Sequence, residues 1–318
     1  MAFTKRQIDV TFRLGGGNTF QTQAGGQNTA KGGGLEIHAT ISKAGSIGMP
    51  TLQCRILGLT PDIVAAVSTL GTVYGAIFNN QITLEAGDEN GKAVVFLGII
   101  DTAWGDYADP ANPALEVRAH TGLLEASRPL APTSFSGPTD VATVISSIAK
   151  QMNWAFENAG VSVILRSAGG GGPYYCGTGR EQILTAARDA DINVWMDSDP
   201  NGAQTVAIWP KGQTRESSVP LISKETGMVN YPVWEQNALR VECEYNPSVA
   251  TPGIGPGGVI VGGKIQVQSI VPNASGVWQV FSVEHQLSSN AADGPWFTTA
   301  RCINTKWPNP GDIVGLPQ

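Results

Sequence analysis

Apolar and polar positions alternate along this chain in short runs, and most runs have the period of two that belongs to a half-buried strand. In LEIHATIS, Leu35, Ile37, Ala39 and Ile41 share one face, with Glu36, His38 and Thr40 on the other. In ALRVECEYNP, Leu239, Val241, Cys243 and Tyr245 alternate with Arg240, Glu242 and Glu244. VWQVFSVEHQL sets Val277, Phe281, Val283 and Leu287 on one side and Ser282, Glu284 and Gln286 on the other. Further strands are expected at residues 3–14 and 19–23, and in LQCRILGL, LEVRAHTGL, KIQVQSIVP and PWFTTARCINTKW. QITLEAG and KAVVFLGIID are joined by DENG, where Asn90 and Gly91 supply the positive φ angles of a tight hairpin turn.

Helical spacing interrupts this pattern in a few places. Thr60 reads as an N-cap with Pro61 at the first helical position, and Ile63, Val64, Val67 and Leu70 recur at helical intervals up to Gly71. RPLAPTSFSGP is proline-rich and reads as a linker. Beyond it, Thr139 or Asp140 can cap a helix through VATVISSIAKQM, and a short strand, VSVIL, leads to the glycines at 169–172. A second helix, REQILTAARDA, precedes the strands INVWMDS and TVAIWP. The fold class is therefore mainly β with an α+β insertion. A first β-barrel is expected over 1–128, a small α+β domain over 129–213, a second β-barrel over 214–306 and an extended C-terminal tail over 307–318.

The 318 residues are enough for about two domains with their own cores. Apolar residues make up 42%, and 39 glycines with 20 prolines fit a globular chain rich in turns. The net charge of −6 comes without a Lys/Arg block, so duplex DNA and anionic membrane surfaces are not expected partners. An acidic wall would instead let DNA slide past unbound. The N-terminus MAFTKRQIDVTF lacks the apolar run of a signal peptide, and no apolar stretch is long enough for a membrane span. Cys54, Cys176, Cys243 and Cys302 form no metal-ligand spacing, and all four read as reduced core residues.

Several motifs imitate chemistry. Gly253, Gly255 and Gly258 match a dinucleotide-loop pattern, but a strand follows, so no helix N-terminus faces a phosphate. Residues 258–265 nearly spell a P-loop, with Ile265 where a magnesium-binding Ser or Thr is needed. Gly177, Gly179 and Gln182 lie between strand and helix, where helix capping is the better explanation. Asp197, Asp199, Asn201 and Gly202 repeat the opening of a calcium loop whose twelfth position is Ile208 rather than Glu. His38 and His120 read as solvated, and His285 as a satisfied core histidine. Ser147 and Lys150 form an isolated SxxK, and Asp189 and Asp191 point in different directions. No catalytic, cofactor or metal residues are assigned, and no enzyme is expected.

Trp278, Trp296, Phe297 and Trp307 concentrate toward the C-terminus. Trp278 alternates with Val280 but also with Ser282 and Glu284, which suits a core position poorly. Trp296 and Phe297 read as interface anchors at a loop tip, and Trp307, Ile313 and Leu316 as interface residues of the tail.

The segments SKETGMVNYPVWEQNALRVECEYNP at 223–247, SGVWQVFSVEHQLSSNAADGPWFTT at 275–299 and YYCGTGREQI at 174–183 resemble parts of bacteriophage baseplate or tail-tip hub proteins. They cover about a fifth of the chain, and their order and spacing fit over most of it. The resemblance implies two tail-tube-like antiparallel β-barrels flanking the small α+β unit. It also implies a homotrimeric structural virion protein between the six-fold tail tube and a three-fold central spike or tip. Two barrels in each of three chains would offer six similar modules to the tube. Implied partners are the tail tube or distal tail ring protein, the spike or tail-tip protein and the tape measure protein, in a particle assembled in the host cytoplasm. Without an appended lysozyme-like domain, cell-wall cleavage is expected from another protein. The loops at 25–34 and 251–263 are expected at subunit or tube contacts. Two alternatives remain at this point: a tail-associated peptidoglycan-degrading enzyme using an acidic pair such as Glu157 and Asp189, and a carbohydrate-binding β module.

Overall fold

The computed structural model describes residues 5–16, 28–45, 48–69, 79–89, 91–167, 169–199, 201–215, 219–246 and 258–304. The fold is mainly β, with a few short helices. It begins with β1 (Gln7–Arg13), β2 (Thr29–Gly32), β3 (Glu36–Ala44) and β4 (Thr51–Leu57). Helix α1 (Pro61–Val67) follows, then β5 (Gln81–Asp88), β6 (Gly91–Asp106), β7 (Ala114–His120) and the helical turn α2 (Leu123–Ser127). Period-two burial holds where the sequence shows it: Ile37, Ala39 and Ile41 of β3 and Leu52, Cys54 and Ile56 of β4 are all buried. Each such aliphatic side chain contributes about 1.5–3 kcal/mol by leaving water. Helix α1 is as short as its sequence allows. Thr60 takes the N-cap position with Pro61 behind it, but its hydroxyl makes no capping bond. Leu70, Gly71 and Asn90, which the sequence assigns to this helix end and to the hairpin, lie outside the described residues.

β6 is too long for one partner. Its first half pairs with β5 and its second half with β7, and bulges interrupt the register of both pairings. A bulge bends and twists its strand, so the sheet turns around one core to which β1 to β7 and α1 all contribute.

The middle of the chain holds β8 (Thr133–Ser134), β9 (Thr139–Asp140), α3 (Val141–Gln151), β10 (Ala155–Asn158), β11 (Ile164–Leu165), β12 (Tyr174–Tyr175), α4 (Gly179–Asp189), β13 (Ile192–Ser198) and β14 (Gln204–Pro210). The proline-rich stretch at 128–138, read from sequence as a linker, is ordered here. Leu130 N–H donates to Gly177 O at 3.0 Å, and β8 pairs with β12. Asp140 caps α3 by accepting from Ala142 N–H at 2.8 Å, and Thr178 and Glu181 form a reciprocal capping box on α4. β10, β14 and β13 make a small sheet with both faces buried. Val194, Met196, Val206 and Ile208 face α3 and α4, while Trp195, Ala207 and Trp209 face the core of the C-terminal part.

That C-terminal part contains β15 (Leu221–Ile222), β16 (Val233–Glu235), β17 (Ala238–Glu244), β18 (Lys264–Val267), β19 (Gly276–Ser289) and β20 (Trp296–Ile303). One thirteen-stranded sheet runs in the order β16-β17-β20-β19-β3-β4-β7-β6-β5-β1-β2, with β18 also on β19 and β15 on β18. The two β-rich parts are therefore continuous. β19 gives one edge first to β18 and then to β3, and Tyr245, Leu287 and Trp296 enter the N-terminal core.

β19 also shows where the alternation misleads. An extra residue, Phe281, bulges between Val280 and Ser282 and switches the strand's inward parity. Trp278 and Val280 point inward before it, and Val283, His285 and Leu287 after it. Val277 and Phe281, read from sequence as inward, are 46% and 36% exposed. Trp278, which suited the core poorly on a continuous register, is 1% exposed and donates its indole N–H to Ala274 O at 2.9 Å. Opposite the bulge stands Gly45, where a Cβ would lie 2.1 Å from Phe281 O, so only glycine lets the backbones come so close.

Candidate functional site

The groups that hydrolysis would need are dispersed. Glu157 on β10 contacts the Arg215 guanidinium through both oxygens, at 3.1 and 2.5 Å. Asp189, at the end of α4, accepts from the Tyr175 hydroxyl at 3.1 Å. Asp191 pairs with Lys211 instead. His38 sits 3.1 Å from Glu36 on a half-exposed face, and His120 lies 4.0 Å from Asp101. Ser147 and Lys150 stay on the outer side of α3, away from its buried Val144, Ile145 and Ile148.

The imitation motifs resolve as backbone devices. Asp199 accepts from Asn201 N–H at 2.9 Å and Ala203 N–H at 2.8 Å, which makes an Asx-type turn, and Ile208 is fully buried in β14. Gly179 opens α4 against Met152, and Gly177 has φ +107. Ile265 is buried in β18, with no helix after it, and Gly253 and Gly255 lie outside the described residues. Among the described residues no group of three or more His, Cys, Asp or Glu could hold a metal ion, and no helix is long and apolar enough to cross a membrane. All four cysteines are free. Cys54, Cys243 and Cys302 are buried, whereas Cys176, read as a core residue, is exposed because β12 ends just before it and the α4 cap begins.

Two features have the geometry of functional surfaces. The first is a cavity of about 490 Å³ where the middle unit meets the long sheet, between Trp195 and Ala207 on one side and Val95, Tyr245, Val259 and His285 on the others. Two ion pairs cross its walls: Lys43 of β3 to Asp197 of β13 at 2.8 Å, both largely buried, and Arg215 to Glu157. His285 is buried, with Nδ1 3.0 Å from Thr298 Oγ1 and its ring edge-on to Tyr245 at 5.4 Å. Burial, helped by the nearby Lys43 charge, pushes its pKa down to about 3, so the imidazole is neutral at physiological pH. The neutral histidine, held by a threonine beside ion pairs that satisfy each other, fills the joint between the middle unit and the long sheet.

The second feature is the end of the sheet. Among the described residues the strand order stops at β16, and Val229, Tyr231, Val233 and Trp234 are 40%, 66%, 43% and 37% exposed. Trp234 meets Trp278 edge-on at 5.6 Å. On the opposite face, Glu235 lies 2.9 Å from Arg240 and 3.1 Å from Arg301. Sequence reading passed over this edge. The available signal was Pro232, which cannot donate to a ladder and so marks an outer strand, followed by Val233 and Trp234.

Of the residues assigned to interfaces, Trp296 lies within β20 and is 4% exposed, packed edge-on to Tyr245 at 5.5 Å. It is a core residue within the chain rather than a loop tip. Phe297 faces the other way and is half-buried. Trp307, Ile313 and Leu316 lie outside the described residues.

No family model matches the sequence, and no curated protein matches it. Solved structures do. A tail protein from Neisseria meningitidis MC58 is similar over 93% of this chain and 96% of its own, at 11% identity and a TM-score of 0.58. The 43 kDa tail protein of prophage MuSo2 from Shewanella oneidensis is similar over 93% and 97%, at 7% identity and TM-score 0.55. An E. coli component of the type VI secretion system, described as similar to the T4 bacteriophage tail proteins gp27 and gp5, is similar over 85% and 73%, at 11% identity and TM-score 0.52. The chain thus has the fold of phage tail and type VI secretion tail-like proteins.

Proposed function

We propose that this chain is a structural subunit of a phage tail, the hub of the baseplate or tail tip, and that it assembles as a homotrimer. The observation that carries the reading is fold likeness over nearly the whole length of both tail proteins, 93% of this chain and 96–97% of theirs. A catalytic domain grafted onto such a fold would show as an unmatched region with convergent titratable groups, whereas Glu157 and Asp189 each answer to a separate partner. In the proposed trimer, residues 1–128 and 214–306 form two barrel modules and the middle unit braces them. Six modules face the six-fold tube or distal ring, and the other side meets a three-fold spike or tip protein, with the tape measure protein inside. Phe297 and the tail residues Trp307, Ile313 and Leu316 lie at subunit contacts.

Light scattering of the purified chain over a concentration series tests this. The expected species has three times the 33.3 kDa chain mass. A chain that stays monomeric both alone and with its co-expressed tube and spike partners overturns the hub, and glycan binding by that monomer would install the carbohydrate-binding reading.

A further inference from the structure

We propose that the cavity between the middle unit and the long sheet is a binding site for a small uncharged aromatic molecule with one carbonyl oxygen, which accepts a hydrogen bond from His285 Nε2. The pocket lies within one chain and needs no hub assembly. At about 490 Å³ it falls in the range of roughly 300–1,000 Å³ that small-molecule sites occupy.

The donor follows from counting protons. His285 and Thr298 are 8% and 3% exposed, and His285 Nδ1 and Thr298 Oγ1 are each other's hydrogen-bond partner at 3.0 Å. The Thr298 hydroxyl has no other acceptor among the described residues, so its buried proton is satisfied only when it points at Nδ1. The imidazole is neutral, and its single proton then sits on Nε2. Nε2 has no hydrogen-bond partner among the described residues, and His285 lines the cavity. A buried N–H without an acceptor is costly, and a ligand oxygen supplies the acceptor.

The rest of the wall fixes the class of ligand. Its charged groups are already matched: Lys43 to Asp197 at 2.8 Å, Arg215 to both oxygens of Glu157, and Asp199 to the N–H groups of Asn201 and Ala203. A charged ligand would lose its water and find no counter-ion waiting, so the occupant is uncharged. Trp195, Val95, Val259 and Val261 make the wall largely apolar. Tyr245 directs its hydroxyl to Ala86 O at 3.5 Å and adds its ring. Aromatic rings that meet offset or edge-on gain more than their area alone gives, which suits an aromatic body better than an aliphatic one.

Two probes of nearly the same shape test the site: acetophenone, and α-methylstyrene, in which a methylene replaces the carbonyl oxygen. Each is titrated into the full chain and followed by quenching of tryptophan fluorescence and by saturation-transfer NMR. Both are expected to bind, acetophenone about tenfold more tightly, because one hydrogen bond separates them. His285→Phe keeps a ring of similar size without the donor. It should reduce that preference to less than about twofold while α-methylstyrene still binds, which shows that the cavity is intact. Val95→Phe, which fills the cavity from the side of the long sheet, should weaken both probes at least tenfold. Nitrogen NMR of the parent's histidine rings should show His285 protonated at Nε2. Failure of both probes to bind the parent overturns the site, and so does binding that Val95→Phe leaves unchanged. Equal affinities in the parent, a preference that survives in His285→Phe, or a proton on Nδ1 overturns the donor and with it the proposed class of ligand.

Discussion

The small sheet of β10, β14 and β13 and the C-terminal sheet of β16 to β20 are built from similar residues, yet they end differently. The first is covered on both faces, by its own helices and by the neighbouring core, and its tryptophans Trp195 and Trp209 are buried. The second, among the described residues, is covered on one face and stops at β16, where Val233 and Trp234, with Tyr231 just before them, are partly exposed. A finished element needs nothing further. An unfinished one exposes apolar area and strand edge, a liability that a chain keeps when something else covers it. In the proposed assembly the covered sheet is the part that braces, and the open-edged sheet the part that docks.

The largest expected effect tests that separation with two tryptophans 5.6 Å apart. Trp278→Ala removes a fully buried ring from the C-terminal core and should cost about 4 kcal/mol, whereas Trp234→Ala, at the exposed edge, should cost about 1 kcal/mol. Urea unfolding with unchanged slopes measures both; equal losses would mean that the edge is part of the core. The next effect is at the joint. Asp197→Ala leaves the largely buried Lys43 without a partner and should destabilise by about 3 kcal/mol, while Lys43→Met combined with Asp197→Leu should come within about 1 kcal/mol of the parent. A double variant as poor as the single one would show that the joint depends on charge rather than on filled volume.

The mainly β character, the three principal helices and the capping of α3 and α4 were legible in the sequence because each rests on local signals a few residues apart. Asp140, offered with Thr139 as the cap of α3, and the capping expected around Gly177 and Gly179 show this; the Thr178–Glu181 box itself came from the structure. What was not legible depends on distant partners. Nothing near Phe281 announces a bulge, since the extra residue exists only relative to β20, and it reversed the faces assigned to Val277 and Phe281 and hid the burial of Trp278. Trp296 looked like a loop tip because the β20 that contains it follows a Gly-Pro turn, and its partner Tyr245 is far away in sequence. The joint between Lys43 and Asp197 joins β3 to β13, a pairing that no spacing rule reaches. The β16 edge could have been suspected from Pro232, but exposure of Tyr231 and Trp234 follows from the sheet ending there, which is a property of the whole strand order.

The smallest of the three effects follows from pH and probes whether the joint is dry. His285 faces Thr298 and Tyr245, with Lys43 and its partner Asp197 nearby across the cavity, and its pKa falls from 6.5 to about 3. Between those values the unfolded chain holds a proton that the folded chain refuses, so this group's contribution falls as pH drops below about 6.5 and is constant above it. Each pH unit in that window is worth about 1.4 kcal/mol, so two units cost about 2–3 kcal/mol. Carboxylates titrate over part of the same range, and the comparison with His285→Gln removes them, because both chains carry the same ones. The parent's stability advantage over that variant, measured by urea unfolding, should therefore shrink by about 2 kcal/mol from pH 6.5 to pH 4.5. An advantage that stays constant would mean that the imidazole already meets water in the folded chain. The middle unit would then rest on the long sheet through a wet, opening contact, and its difference from the exposed β16 edge would be one of degree.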